Sequence, residues 1–314
     1  MIRRLTQRGF LPLAALVFAV AGIFLLSAAA KSEDRYQLFP KLLNGQTLNY
    51  ESHARMNRYV KTKSNVKTMF EPKPLQADLA MTFRLSVQDY RALGHRAVLE
   101  AETQILPAST AEQRDAPDST VPKPAKVSFA IGTDGALTRA DGLDDLDTDQ
   151  SMAWQFWIAQ FAFAWTLPPS GVRPGEKWKS EEEEHTPTPI AKLVWERETT
   201  YVQDEPCPTL PGEQCAVFLI NANLRQKSNP EDATPEDYKL HQLKTSGTAK
   251  GTNQTVLYIS RKSGLLVRAT EDLQQSLDVT IAKTDNSNRV QYLVDVTSHL
   301  ETRYLSAGQT SAAP

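Results

Sequence analysis

Residues 79–88 read LAMTFRLSVQ, in which Leu79, Met81, Phe83, Leu85 and Val87 alternate with Ala80, Thr82, Arg84, Ser86 and Gln88. Successive side chains of a strand point to opposite faces, so this run buries one apolar face and wets the other. The same period returns in Leu99, Ala101, Thr103 and Ile105, in Leu277, Val279 and Ile281, and in Val290, Tyr292, Val294 and Val296. One-sided burial is the habit of antiparallel meanders, whereas parallel sheets covered on both faces read as continuous apolar runs. The expected fold is mainly β, and a dinucleotide-binding site of the Rossmann kind has no scaffold. Leu193 to Val202 reads as a further strand, and burial of Trp195 is a corollary.

An internal echo supports the meander. Val127, Phe129, Gly135, Leu137, Arg139 and Ala140 recur at a constant offset as Val256, Tyr258, Gly264, Leu266, Arg268 and Ala269. Each copy reads as strand, tight turn, strand, with Asp134-Gly135 and Ser263-Gly264 as turn residues that tolerate positive φ. Two related halves, about 46–146 and 170–305, are one reading of a β-rich domain over 46–305. Chance similarity among hairpins is the other.

Between the halves, DTDQSMAWQFWIAQFAFAWTLPP predicts a helix over 149–165. Asp147, Asp149 or Ser151 can cap its first turn, and Pro168 and Pro169 stop it. Trp154, Trp157, Ile158, Phe161 and Trp165 form one stripe, and Met152, Phe156 and Phe163 a second. A helix apolar on nearly all sides must be buried on nearly all sides or face lipid or ligand. Trp154, Phe156, Trp157, Phe161, Phe163 and Trp165 are thus either a core plug or the surface for an apolar ligand. With two glutamines and an acidic lead-in, the segment is too polar for a membrane span.

The N-terminus bears on location. Arg3, Arg4 and Arg8 precede an uncharged run from Gly9 to Leu26, the pattern of an export signal. Small residues at 27–30 suit cleavage before Lys31, while the length of the run also suits an uncleaved anchor. Either way the rest of the chain is translocated to the periplasm or envelope, inner-membrane anchored if uncleaved. Apart from such an anchor, membrane contact is at most peripheral. No cysteine stands near the cleavage site for lipid attachment. Removing the first 30 of 314 residues leaves 284, with 32 bases against 37 acids, a net charge of −5. That length supports a real core, and that charge excludes a polyanion-binding field, so nucleic acid is not an expected partner. Residues 31–45 form a lead-in segment, Pro107 to Lys126 and Arg225 to Lys239 read as long loops, and 306–314 has the composition of a disordered tail.

Cys207 and Cys215 stand eight residues apart in EPCPTLPGEQC, and in an oxidising compartment they are expected to pair as a disulfide. No C-x-x-C motif is present. His53, His95, His185, His241 and His299 show no paired metal-ligand spacing. Asp145, Asp147 and Asp149 begin like a calcium loop, but Gln150 and Phe156 stand where Gly and Glu belong. The acids Glu181 to Glu184 would splay to both faces of a strand and could not converge on an ion. Arg55, Arg58, Lys61, Lys63 and Lys67 read as a wet strand face, with contact to an anionic headgroup as the alternative. Neither a nucleophile elbow, a Walker loop nor a Ser-x-x-Lys with its partner motifs is present, so neither a catalytic site, a metal nor a cofactor is expected.

The segment LPPSGVRPGEKW, with Leu167, Pro168, Val172, Gly175 and Trp178, resembles a signature of uncharacterised exported bacterial β-rich proteins. The order of strands, helix and more strands is similar to the LolA-type periplasmic carriers of lipoproteins and lipids. That resemblance implies a strongly curved antiparallel sheet, a half-barrel or open barrel, packed on the aromatic helix with a concave face for acyl chains. The functional expectation is a non-enzymatic envelope protein binding an apolar ligand or lipid. A structural or interaction module with a solid core and an envelope-protein partner is the alternative, and a hydrolase with a dispersed site the third reading.

Overall fold

The computed structural model describes residues 35–64, 75–94, 96–107, 123–184, 188–285 and 288–305. The export signal, the cleavage site before Lys31, most of the 107–126 loop, Lys67, His95, His185 and the 306–314 tail lie outside the described residues. From Tyr36 onward the chain forms one compact unit.

Eleven strands carry the fold: β1 (Thr47–Ser64), β2 (Leu75–Leu93), β3 (Arg96–Pro107), β4 (Ala125–Ile131), β5 (Leu137–Asp141), β6 (Lys177–Glu183), β7 (Leu193–Pro206), β8 (Gln214–Gln226), β9 (Leu243–Ser260), β10 (Leu266–Lys283) and β11 (Val290–Leu305). Helix α1 (Thr148–Thr166) and the short α2 (Glu236–Leu240) interrupt them. All the strands form one antiparallel sheet in the order β5-β4-β3-β2-β1-β11-β10-β9-β8-β7-β6. Two meanders thus run outward from a central pairing of the first strand with the last, in which Ala54 faces Leu300. The edges β5 and β6 do not pair, so the sheet is open.

Those edges are consecutive in the chain, and α1 lies in the segment that joins them. It packs across the inner face against β1, β2 and β10. The sheet therefore curls around the helix, and register irregularities at Val87/Asp89, Ala130/Ile131, Tyr201/Gln203 and Leu266/Arg268 add the local twist such a curl needs. Leu79, Met81, Phe83, Leu85 and Val87 all face inward and are buried, as their alternation predicts.

Helix α1 begins where its capping chemistry places it. The Asp147 carboxylate accepts from the Gln150 backbone N–H (2.8 Å), and the Gln150 side chain accepts from the Asp147 N–H (3.4 Å). This capping box satisfies two otherwise orphaned donors and gives the acidic lead-in its use. The LP…V…G…W segment carries the chain from α1 to the edge strand. Val172 exchanges two backbone hydrogen bonds with Tyr36, and the Gly175 N–H donates to the Tyr201 carbonyl at φ 82°.

The lead-in becomes a strap. Leu38 and Leu42 are buried in the main core, and the Lys41 N–H donates to the Ser263 carbonyl. The strap passes so close to the β9–β10 turn that a Cβ on Gly264 would stand 2.2 Å from the Phe39 oxygen, which only glycine permits. Cys207 and Cys215 form a disulfide across the β7–β8 turn. Trp195 is buried on the inner face.

The echoed hairpins correspond to β4–β5 and β9–β10, but their matched residues do not match in burial. Val127 and Phe129 are buried on the inner face, whereas Val256 and Tyr258 are half-buried on the outer one. Leu137 is exposed and Leu266 buried.

Replacing Trp157 by alanine is expected to cost about 3–5 kcal/mol in urea unfolding, whereas Gln155→Glu on the exposed side of α1 should stay within about 0.5 kcal/mol.

Candidate functional site

Most of the aromatic helix is sealed. Trp154, Trp157, Phe161, Phe163 and Trp165 are all buried, and only Phe156 of the six expected residues is half-buried. Trp157 stacks on Phe83 at 4.8 Å between centroids and on Phe161 at 5.6 Å, while Tyr50 meets Trp157 and Phe161 edge-on. Trp154 meets Phe129, and Phe163 meets Phe218. The exposed side of α1 is a narrow line through Gln155, Ala159 and Thr166.

The opposite flank of the helix is tied by hydrogen bonds. Gln160 donates from Nε2 to the Glu271 carboxylate (2.8 Å), Asn253 donates from Nδ2 to its other oxygen (2.6 Å), and the Thr255 hydroxyl donates to the Asn253 amide oxygen. Glu271 is 7% exposed. Desolvation raises its pKa above the usual carboxylate range; the two amide donors and the charge of Arg197 pull the other way, and Asp272 adds to the rise.

Beyond this tie the inner face continues past the helix. Cross-strand register places Trp195, Leu224, Gly251, Gln275, Val296, Arg58 and Leu75 in one row. The next rows bring Val60 opposite Val294, Val294 opposite Leu277, and Tyr292 opposite Val279. Val60, Leu277, Ile281, Tyr292, Val294 and Val296 are only half-buried. On the β8–β9 side, Trp195, Leu224, Ala249, Leu273 and Val279 form a second buried cluster, and Phe156 touches both this cluster and the main core. Phe156 therefore stands where the filled part of the concave face gives way to the open part.

The charged expectations sort by face. Arg55, Lys61 and Lys63 are exposed on the outer face of β1. Arg58, grouped with them by charge, has the opposite parity and lies half-buried on the inner face, a correction to the wet-face reading. Its Nη2 meets the Met152 sulfur at 3.5 Å. Glu181 pairs with Lys227, Glu182 with Arg197, and Glu184 accepts from the Trp195 indole, so the acidic run splays as expected. His53–Asp78 (2.5 Å) and His299–Asp272 (2.8 Å) are exposed outer-face contacts. Among the described residues no group of three or more His, Cys, Asp or Glu could hold a metal ion, and no helix is long and apolar enough to cross a membrane.

Two shallow clefts lie elsewhere, both wide open to solvent. One of about 400 Å³ is lined by Tyr36, Glu213 and Arg261, where the guanidinium sits 3.7 Å over the Tyr36 ring and pairs with Asp204. The other, about 480 Å³, lies by Pro230, Ser246 and Asp278. Neither reaches α1.

Sequence reasoning missed Glu271 and the inward turn of Arg58. Parity is the signal for both: Glu271 shares the odd positions of Leu277, Val279 and Ile281, and Arg58 the even positions of Val60.

No family model matches the chain, and no curated protein matches it. Among solved structures it is similar to a candidate lipoprotein from Parabacteroides distasonis, with a TM-score of 0.28 and 11% identity over 83% of this chain and 98% of that one. A similarity of that size carries no argument about fold or function.

A carboxyl whose folded pKa is raised contributes stability that is present below its unfolded pKa and lost as pH rises through the folded one. In urea unfolding across pH, wild type should therefore lose stability relative to Glu271→Gln from the ordinary glutamate range upward, then level off above the raised pKa. A gap between the two proteins that stays constant with pH would contradict it.

Proposed function

We propose that this chain is a non-enzymatic binding protein of the cell envelope that takes up an apolar ligand, of the lipid class, on the part of its concave face that α1 leaves uncovered. The observation that carries this reading is a contrast within one inner face. Where α1 lies, the aromatic residues are sealed; past Phe156, apolar side chains on β1, β10 and β11 are half-exposed in consecutive rows. A concave apolar surface with a few polar groups at its margin is the usual form of a small-molecule site. An envelope location is supported by the export-type pattern of residues 1–30 and by the disulfide, which needs an oxidising compartment.

The ligand surface thus moves from the helix stripe to the sheet. The second reading, a solid-core module that binds an envelope protein, draws on the same sealed helix and predicts no uptake of small apolar molecules.

Wild type is expected to take up the neutral probe N-phenyl-1-naphthylamine with a gain in fluorescence. Leu277→Glu and Val294→Glu, which place a carboxylate on the open surface, should weaken uptake about tenfold or more while the protein still melts cooperatively. A wild type that takes up no probe removes this reading and leaves the interaction module in its place.

A further inference from the structure

Among the described residues the open half of the concave face carries one arginine, Arg58, while Lys283 is exposed at its far margin. Arg58 stands in the row of Gln275 and Val296, directly before the apolar rows that begin with Val60 and Val294. The other inward arginine on the sheet wall, Arg197, is paired with Glu182. Arg58 has no carboxylate within ion-pair distance among the described residues, and its side-chain hydrogen bond goes to a thioether, the Met152 sulfur. Thioether sulfur is a weak acceptor. A half-buried guanidinium lacking a counter-charge is an unfavourable arrangement for the protein alone, and five N–H donors in a planar fork match a carboxylate. The buried Glu271 does not serve as that counter-charge, since it is held by Gln160 and Asn253 and feels Arg197.

From Arg58 to Ser64 the β1–β11 ladder runs six residues further, roughly 20 Å at strand rise. Along it the inward side chains of β1, β11 and β10 include Val60, Val294, Leu277 and Tyr292, with no acid among them. The floor past Arg58 is therefore uncharged and mainly apolar, with Thr62 and Ser64 as its polar members on β1, and it is cationic at the end next to the helix.

Resting on the reading that this face takes up an apolar ligand, we infer that the ligand is a free single-chain fatty acid. Its carboxylate is held by the Arg58 guanidinium beside the N-terminal half of α1, and its chain runs along the strands, over the Val60, Val294 and Leu277 row and then past Tyr292 and Val279 toward Val290. Charge complementarity selects an anionic head over a neutral or cationic one, and the single line of apolar rows leading away from one arginine selects one chain.

The test is displacement of N-phenyl-1-naphthylamine by palmitic acid, hexadecanol, methyl palmitate and hexadecylamine, with probe affinity measured separately for each protein. In wild type the acid should displace the probe at about tenfold lower concentration than the alcohol or the ester, the effect of one charge-assisted hydrogen-bonded pair. The amine should be weakest. Arg58→Gln should bring acid and alcohol level, and Arg58→Lys should restore part of the preference. Circular dichroism and melting of both variants check that they fold. An alcohol or ester as effective as the acid in wild type, or an acid preference that survives in Arg58→Gln, overturns the inference while leaving apolar uptake intact. Absence of probe uptake by wild type overturns uptake and the inference together. Binding to anionic phospholipid vesicles that free palmitate does not compete also overturns it, because the occupant would then be a membrane surface.

Discussion

A sheet whose two edges are joined through a single helix can bury that helix only by curling round it. Here the first strand pairs with the last, so the two meanders finish at β5 and β6 on opposite margins, with α1 in the connection between them. The helix must cross the inner face, and being apolar on nearly all sides it must be covered there. The stack of Trp157 on Phe83 and Phe161 fixes where it crosses. Burial of each large aromatic is worth roughly 2–3 kcal/mol, with about 0.5–1.5 kcal/mol more for each good ring contact. Against this, the indole N–H groups of Trp154, Trp157 and Trp165 are buried with no acceptor among the described residues, at about 1–3 kcal/mol each. The net gain comes from packing shape, and a ligand that displaced α1 would have to replace all of it. That is why a binding surface belongs on the part of the sheet the helix does not reach.

Period-two alternation is local, so the strands and their faces were legible in the sequence from runs such as Leu79 to Val87. Helix ends were legible for the same reason: Asp147 caps, Gln150 closes the box, and Pro168 and Pro169 stop the helix. The disulfide follows from two cysteines eight residues apart. What was not legible is long-range. Nothing near Ala54 or Leu300 announces that they face each other across the centre of the sheet, and the curl depends on that pairing. Leu38 and Leu42 show no periodicity in the sequence, so nothing there marks the lead-in as a strap on the core. The internal echo illustrates the same limit, since it matched turn residues while Val127 and Phe129 fell on the inner face and Val256 and Tyr258 on the outer one, the difference that a one-residue shift against the pleat makes. For the site, residue type misled where parity would have served. Arg58 was grouped with Arg55, Lys61 and Lys63 by charge, yet it alone of the four shares the even positions of Ala54, Met56 and Val60.

The seat of α1 is different on its two sides. Toward β1 and β2 the helix meets Tyr50 and Phe83; toward β10 Gln160 meets Glu271, which Asn253 of β9 holds from the other side. Aromatic packing fixes the height of the helix above the sheet but tolerates sliding along it, whereas the directed hydrogen bond from Gln160 to a carboxylate that Asn253 holds in place fixes its axial position. In this low-dielectric setting the polar contact is strong when satisfied and costly when broken. The filled part of the core is held in register by that single point, and the open part begins a few residues further along the same strands.

Glu271 is subject to opposing demands. Two N–H donors directed at its oxygens favour the carboxylate, since an ionised carboxyl accepts only. Burial favours the neutral acid, and burial prevails in setting the direction of its pKa. The neutral form would have an O–H to donate, and the buried Gln160 Oε1 has no hydrogen-bond partner among the described residues. Rotation of the Gln160 amide would turn that oxygen toward Glu271, so the same pair of residues can form a hydrogen bond in either protonation state with donor and acceptor exchanged. Asn253 cannot reverse as easily, because its amide oxygen already accepts from Thr255. It need not, because a carboxyl protonated on the oxygen that faces Gln160 keeps its other oxygen as an acceptor for the Asn253 amide, so the tie to the helix and the tie to β9, which borders the wall of the open concave face, both survive protonation.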